Sequence, residues 1–221
     1  MDIRRDVAFG DGLSMDVYGP ESDCAVVIVA GYAGDFREMA SAISKARLIA
    51  GSGLTAITYA NRDPVADLRT LLQRLSTKKV GLWASSGNVP VALSAGMDQR
   101  VQCAALCYGY TFDAADAANK FGFVDACAGK SVDDLPDDVP LFIARAGRDE
   151  MPELNVTLDR FVTKALDRNL PITMVNHANG PHAFDLVDDS ETSHEIIRQV
   201  LDFLRFQLRV LGAAFAPASS A

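Results

Sequence analysis

No run of lysine and arginine longer than a pair occurs in this sequence, the pairs being Arg4-Arg5 and Lys78-Lys79. With 29 acidic against 21 basic residues the formal charge is −8 and the pI is near 4.8. Nucleic-acid binding needs a basic face that displaces counterions from phosphate, so that class of partner is excluded. Apolar runs are short too: none approaches the roughly 18 residues of a bilayer-spanning helix. The opening Met1-Asp2-Ile3-Arg4-Arg5-Asp6 lacks the apolar stretch of a secretory leader. A cytoplasmic protein with no membrane partner is therefore expected. Cysteine is scarce, and Cys24, Cys103, Cys107 and Cys127 show neither CxxC spacing nor the density of a disulfide scaffold. They point to reduced, buried thiols and no metal. No internal repeat is present, and nothing in the composition decides whether copies of the chain form a homo-oligomer.

What the sequence does have is 49% hydrophobic residues in 221, enough for one large core. A single domain over residues 1–211 is expected, followed by a flexible tail over 212–221 in which small residues show no periodicity. The stretch from Val7 to Tyr18 alternates around Asp11-Gly12 and predicts an antiparallel hairpin. Cys24 to Ala30 is continuously apolar, as in a strand buried on both faces of a parallel sheet. Similar strands are predicted at 54–59, 80–84, 101–107, 141–144 and 172–175, alternating with helical patterns at 39–50, 65–75, 89–95 and 154–166. This alternation predicts an α/β fold, a mostly parallel sheet with helices on both faces. A last helix follows Asp188-Asp189-Ser190 with an apolar stripe of Ile196, Ile197, Val200, Leu201, Leu204 and Leu208, and Thr192 with Glu195 fits a capping box at its start. The irregular stretch 110–140 is too long for a simple connection and predicts short helices bordering a pocket.

One strand, Val80-Gly-Leu-Trp-Ala-Ser-Ser-Gly-Asn, ends in small and hydroxylated residues and passes straight into a helical pattern. That is the shape of a nucleophile elbow, in which a tight turn lifts a serine above the sheet and the next backbone N–H faces a developing oxyanion. Two registers compete. Ser86 as nucleophile puts Ala84 and Asn88 at the crowded flanking positions, whereas Ser85 puts Trp83 and Gly87 there. A tryptophan is the harder fit, which favours Ser86, with Gly87 N–H as one oxyanion donor.

An acid and a histidine follow in the order Ser, Asp, His. Asp149 comes just after the strand Leu141-Phe-Ile-Ala, where it either orients a histidine or caps the helix near Pro152. Of three histidines, His182 lies in a Gly-Pro loop before the last helix, His177 lies nearer a strand end, and His194 falls on the last helix, where solvation is expected. A general base must reach serine while an acid holds its other nitrogen, which suits His182. The first parallel strand ends at Ala30-Gly31, so Tyr32 or Ala33 supplies a second oxyanion N–H. Tyr32, Phe36, Tyr108, Tyr110 and Phe184 stand near the same predicted edge, where each either binds substrate or enters the core.

Together "VGLWASSGNVP", "LFIARAGRDE" and "NGPHAFD" resemble the dienelactone-hydrolase-like branch of the α/β-hydrolase superfamily over roughly residues 7–210. The resemblance implies an α/β-hydrolase fold, a Ser86-His182-Asp149 triad, and no metal or organic cofactor. It implies an esterase or lactonase acting on a small carboxylic ester or lactone. Dienelactone hydrolases proper use cysteine as nucleophile, and neither Cys103 nor Cys107 lies at the elbow, so their own lactone substrate does not carry over.

Overall fold

The computed structural model describes residues 1–213 apart from residues 98 and 100, and side chains through residue 209. Eight strands form one sheet: β1 (Ile3–Gly10), β2 (Leu13–Tyr18), β3 (Cys24–Ile28), β5 (Thr55–Asn61), β6 (Lys79–Ser85), β7 (Cys103–Cys107), β8 (Leu141–Ala146) and β9 (Ile172–His177). A two-residue β4 (Gly34–Asp35) pairs with β5 off the main path. The spatial order is β1-β2-β5-β3-β6-β7-β8-β9. β1, β2 and β5 pair antiparallel, and every pair from β5·β3 to β8·β9 is parallel.

The expected hairpin therefore exists, and its first strand starts earlier than the alternation suggested. A bulge between Arg4 and Val7 places Asp6 at φ 54°, and the Asp6 N–H is taken up by the buried Asp16 carboxylate at 3.0 Å. Short-range alternation breaks at such a bulge, which hides the strand's first half from a periodicity reading.

Helices α1 (Ala40–Gly51) and α7 (Glu191–Ala213) cover one face; α2 (Pro64–Arg74) and α5 (Leu154–Asp167) cover the other. Side chains of β3 and β6 show why both faces are apolar. Ala25, Val27 and Leu82 join the core with Leu68, Leu71, Leu158 and Phe161, whereas Val26, Ile28 and Trp83 join the core with Ile49, Val200 and Leu204. A strand buried on both sides needs a continuous apolar run, which is the texture of these segments. The edge strand β9 departs from it: Thr173, Met174 and Asn176 are exposed because only one neighbouring strand and part of α7 cover them.

Two boundaries differ from expectation at the last helix. Its first turn begins at Glu191, with the Ser190 hydroxyl accepting from Ser193 N–H at 3.3 Å, so Ser190 takes the capping place expected of Thr192. At the other end the helix runs through Ala213, so Gly212 and Ala213 are helical; residues 214–221 of the expected tail lie outside the described residues. In the irregular stretch, α4 (Ala115–Phe121) and a turn of 3-10 helix at Val132–Asp134 are the short helices expected there. No helix among the described residues is long and apolar enough to cross a membrane.

Candidate active site

β6 delivers Ser85 and Ser86 to the carboxyl edge of the sheet in opposite states. Ser85 ends the strand at φ −137°, buried, with no hydrogen-bond partner for its hydroxyl. Ser86 stands next at φ +57°, a left-handed conformation that L-residues adopt only under constraint. This reversal turns the chain from strand into helix within one residue and points Ser86 out of the sheet. Of the two registers, only that with Ser86 at the turn has the elbow's backbone. The helical run beyond it is less regular than the predicted 89–95 helix: a 3-10 turn at Ser86–Asn88, an α turn, α3 (Val89–Val91), and a π turn at Ala92–Gly96.

The elbow is held from two sides. Gly31, just past β3, lies so close that a Cβ there would stand 2.5 Å from the Gly87 carbonyl oxygen and 2.8 Å from the Asn88 Cα. In that contact Gly31 N–H donates to Asn88 Oδ1 at 2.6 Å. Asn88 thus occupies the crowded flanking position after Ser86, and its amide ties the elbow to the loop carrying Tyr32 and Ala33. From above, Phe123 presses on Gly87: a Cβ at Gly87 would be 2.8 Å from its ring and 3.0 Å from the Tyr32 hydroxyl.

Ser86 Oγ lies 2.9 Å from His182 Nε2, and His182 Nδ1 lies 2.7 Å from Asp149 Oδ2. A carboxylate only accepts, so Nδ1 carries the proton and Nε2 is left as acceptor for the serine hydroxyl. The Asp149 side chain is fully buried, and its second oxygen accepts from Met151 N–H at 2.9 Å. One oxygen thus faces His182 and the other closes a local turn at Met151; Asp149 does not cap the following helix, which begins at Leu154 after Glu153 and has no side-chain cap. The loops bearing the acid and the histidine are clamped together by Gly147 N–H to the His177 carbonyl and Arg148 N–H to the Gly180 carbonyl, both 2.9 Å. The His182 side chain remains 27% exposed, beside an open cleft of about 690 Å³ walled by Arg148, Glu150, Met151, Asn179 and Pro181.

The other histidines are apart from this constellation. His177 is buried, its Nε2 3.1 Å from Asp188 Oδ2 and 3.0 Å from Ser193 Oγ. His194 is exposed on α7 and pairs with Asp189 at 3.0 Å.

Of the five aromatics considered for substrate binding, Tyr32 alone is exposed, in the loop over Gly87; burial of its ring pushes the phenol pKa up. Phe36 packs into the core with Phe9 and Tyr59, and Phe184, at the start of the short α6 (Phe184–Val187), lies 1% exposed beneath Tyr108. Tyr110 stacks on Phe123 at 5.2 Å, its hydroxyl donating to the Pro152 carbonyl. Tyr108 is buried with its hydroxyl donating to Asp185. Sequence places all four near the carboxyl edge, and the interior apolar space claims their rings, the core alternative for each.

Three contributors escaped the sequence reading. Asn88 shows in sequence only as a flanking residue of the elbow, and Phe123 sits in a segment without periodicity. Lys45 had a signal: it is the one cation on the buried stripe Ala42-Lys45-Ala46-Ile49 of α1. Among the described residues no group of three or more His, Cys, Asp or Glu converges as a metal site would require.

No family profile and no curated protein matches this sequence. Solved structures do. A tributyrin-phosphonate complex of esterase B from Lactobacillus rhamnosis is similar at TM-score 0.72 and 14% identity over 96% of this chain and 88% of that one. A bacterial brefeldin A esterase, described as a homologue of human hormone-sensitive lipase, gives TM-score 0.71 at 12% identity over 95% of this chain and 78% of its own. A bacterial heroin esterase gives 0.69 at 14%, over 94% and 84%. At such identities the likeness is one of fold, and the fold of this chain is the α/β-hydrolase fold.

Proposed function

We propose that the protein is a serine hydrolase of small carboxylic esters or lactones, with Ser86 as nucleophile, His182 as general base and Asp149 as the acid that orients it. The observation that carries this reading is the continuous chain of hydrogen bonds Ser86-His182-Asp149, 2.9 and 2.7 Å, beside an open cleft at the carboxyl edge of the sheet. The structural neighbours, esterases by name, support the same reaction class. Placement in the dienelactone-hydrolase-like branch rests on the "GRDE" and "PHAFD" segments. Four free cysteines suit the reducing cytoplasm.

In this reaction His182 Nε2 takes the Ser86 proton as Oγ attacks the ester carbonyl. The oxyanion is held by Gly87 N–H and by Tyr32 or Ala33 N–H; Gly31 N–H is already spent on Asn88. The imidazolium, its charge balanced by Asp149, gives the proton to the departing alkoxide. Water, deprotonated by the same nitrogen, then releases the acid and restores Ser86.

The test is direct. Ser86→Ala abolishes fluorophosphonate labelling and hydrolysis of a short-chain nitrophenyl ester, while Ser85→Ala keeps labelling. Loss with Ser85→Ala instead, or no labelling of the wild type, overturns the assignment.

A further inference from the structure

The flank of His182 is supported by a polar chain that the hydrolytic reading leaves unused. Tyr108 follows β7 immediately and adopts φ +34°, outside the ordinary range for a bulky residue. Its N–H donates to the Ala144 carbonyl at 2.7 Å, which ties it to β8. Its ring meets the His182 imidazole edge to face, centroids 5.1 Å apart at 71°, and meets Phe184 on its other side at 5.3 Å. The phenol O–H donates to Asp185 Oδ1, and Asp185 Oδ2 lies 2.8 Å from Lys45 Nζ. Both charged side chains are nearly sealed, 6% and 9% exposed.

A buried ion pair is costly to desolvate, and a hydrophobic pair of similar volume commonly serves the fold as well. Here the pair fixes one oxygen atom, the acceptor for a phenol whose ring bears on the base. Asp149 constrains His182 through one nitrogen only, which leaves the imidazole free to swing about that bond. Contact with Tyr108 removes that freedom.

We infer that Tyr108 is a positioning residue for His182, anchored through its phenol by the buried Asp185-Lys45 pair, and that the anchor keeps Nε2 aimed at Ser86. The inference rests on the proposed serine-hydrolase reading. Misplacement of a catalytic group by about an ångström costs up to 10²-fold in rate, so losing the anchor lowers kcat by about tenfold and leaves KM within about twofold.

The experiment compares wild type, Tyr108→Phe, and two double variants, Lys45→Met with Asp185→Leu and Lys45→Met with Asp185→Asn. Each is assayed for kcat and KM on a short-chain nitrophenyl ester, for fluorophosphonate labelling rate, and for thermal unfolding. Tyr108→Phe and the Met/Leu pair are expected to lose about tenfold in kcat and in labelling rate. The Met/Asn pair, which keeps an acceptor for the phenol without its charge, is expected to stay within about threefold of wild type. That rescue separates positioning from a structural role, because both double variants remove the same ion pair. Wild-type kcat in Tyr108→Phe, or equal kcat in the two double variants, overturns the inference; if Tyr108→Phe does not fold, the double variants decide alone. A wild type that neither hydrolyses the ester nor takes the label overturns the hydrolase reading itself.

Discussion

At the scale of single residues, the site depends on a few side chains filling two roles each. Asn88 both follows the elbow and accepts the Gly31 N–H. Asn88→Ala leaves that buried donor without a partner, a cost of about 1–3 kcal/mol, and frees the loop carrying Tyr32 and Ala33. Steady-state kinetics should show kcat falling by more than KM rises, since the oxyanion contact matters most in the transition state; a pure KM effect would contradict this. The cysteines are the opposite case. Burial pushes the Cys103, Cys107 and Cys127 thiols up to about 12, so they stay protonated and inert at neutral pH. Alkylation of the native protein at pH about 8 should spare these three and reach them only after unfolding, read by peptide mass spectrometry. Ser86, Asp149 and His182 are singled out in sequence by elbow texture and chain order, and the fold brings their side chains within hydrogen-bonding distance of one another. The buried aromatics were not, because an aromatic next to a site and an aromatic in a core look alike in one dimension.

At the scale of elements, the loop between β9 and α7 carries His182 and is closed at both ends by one cluster. The Asp188 carboxylate at the helix side accepts from Ser190 Oγ and Ser193 Oγ, each 2.7 Å away, and from His177 Nε2 at the strand side. Those hydrogen bonds, the Ser190 hydroxyl first, hold the carboxyl at about 2, below the ordinary 3.8. A carboxyl depressed on folding stabilises the fold above its unfolded value and loses that contribution as pH falls toward the folded one. The wild type should therefore lose stability between pH 3.8 and about 2, and Asp188→Asn, already lacking the charge, should lose less over the same interval in denaturant titrations. Element order and most boundaries could be read from periodicity. The caps could not: Thr192 with Glu195 fits the capping-box pattern, yet the helix starts one residue earlier, at Glu191, and Ser190 takes the Ser193 N–H.

At the scale of the whole molecule, two cores sandwich the sheet, and Ser86, Asp149 and His182 stand beyond the carboxyl ends of its strands. α7 seals one of them with Ile196, Val200, Leu204 and Leu208, all buried. Leu204→Ala should cost about 2–5 kcal/mol through lost burial and a residual cavity. Chemical denaturation would measure this, while activity per folded molecule should change little because Leu204 faces the core away from the cleft. By itself the sequence determined the class of fold, since strands buried on both faces must be continuously apolar and helices between them must carry one apolar stripe. It also determined the order of serine, acid and histidine. Tertiary structure alone decided which aromatics are consumed by the core, and that Lys45, Asp185 and Tyr108, distant in sequence, share one buried chain beside His182. Periodicity reports which face of an element is buried; only the packing of one element on another fixes what that face touches.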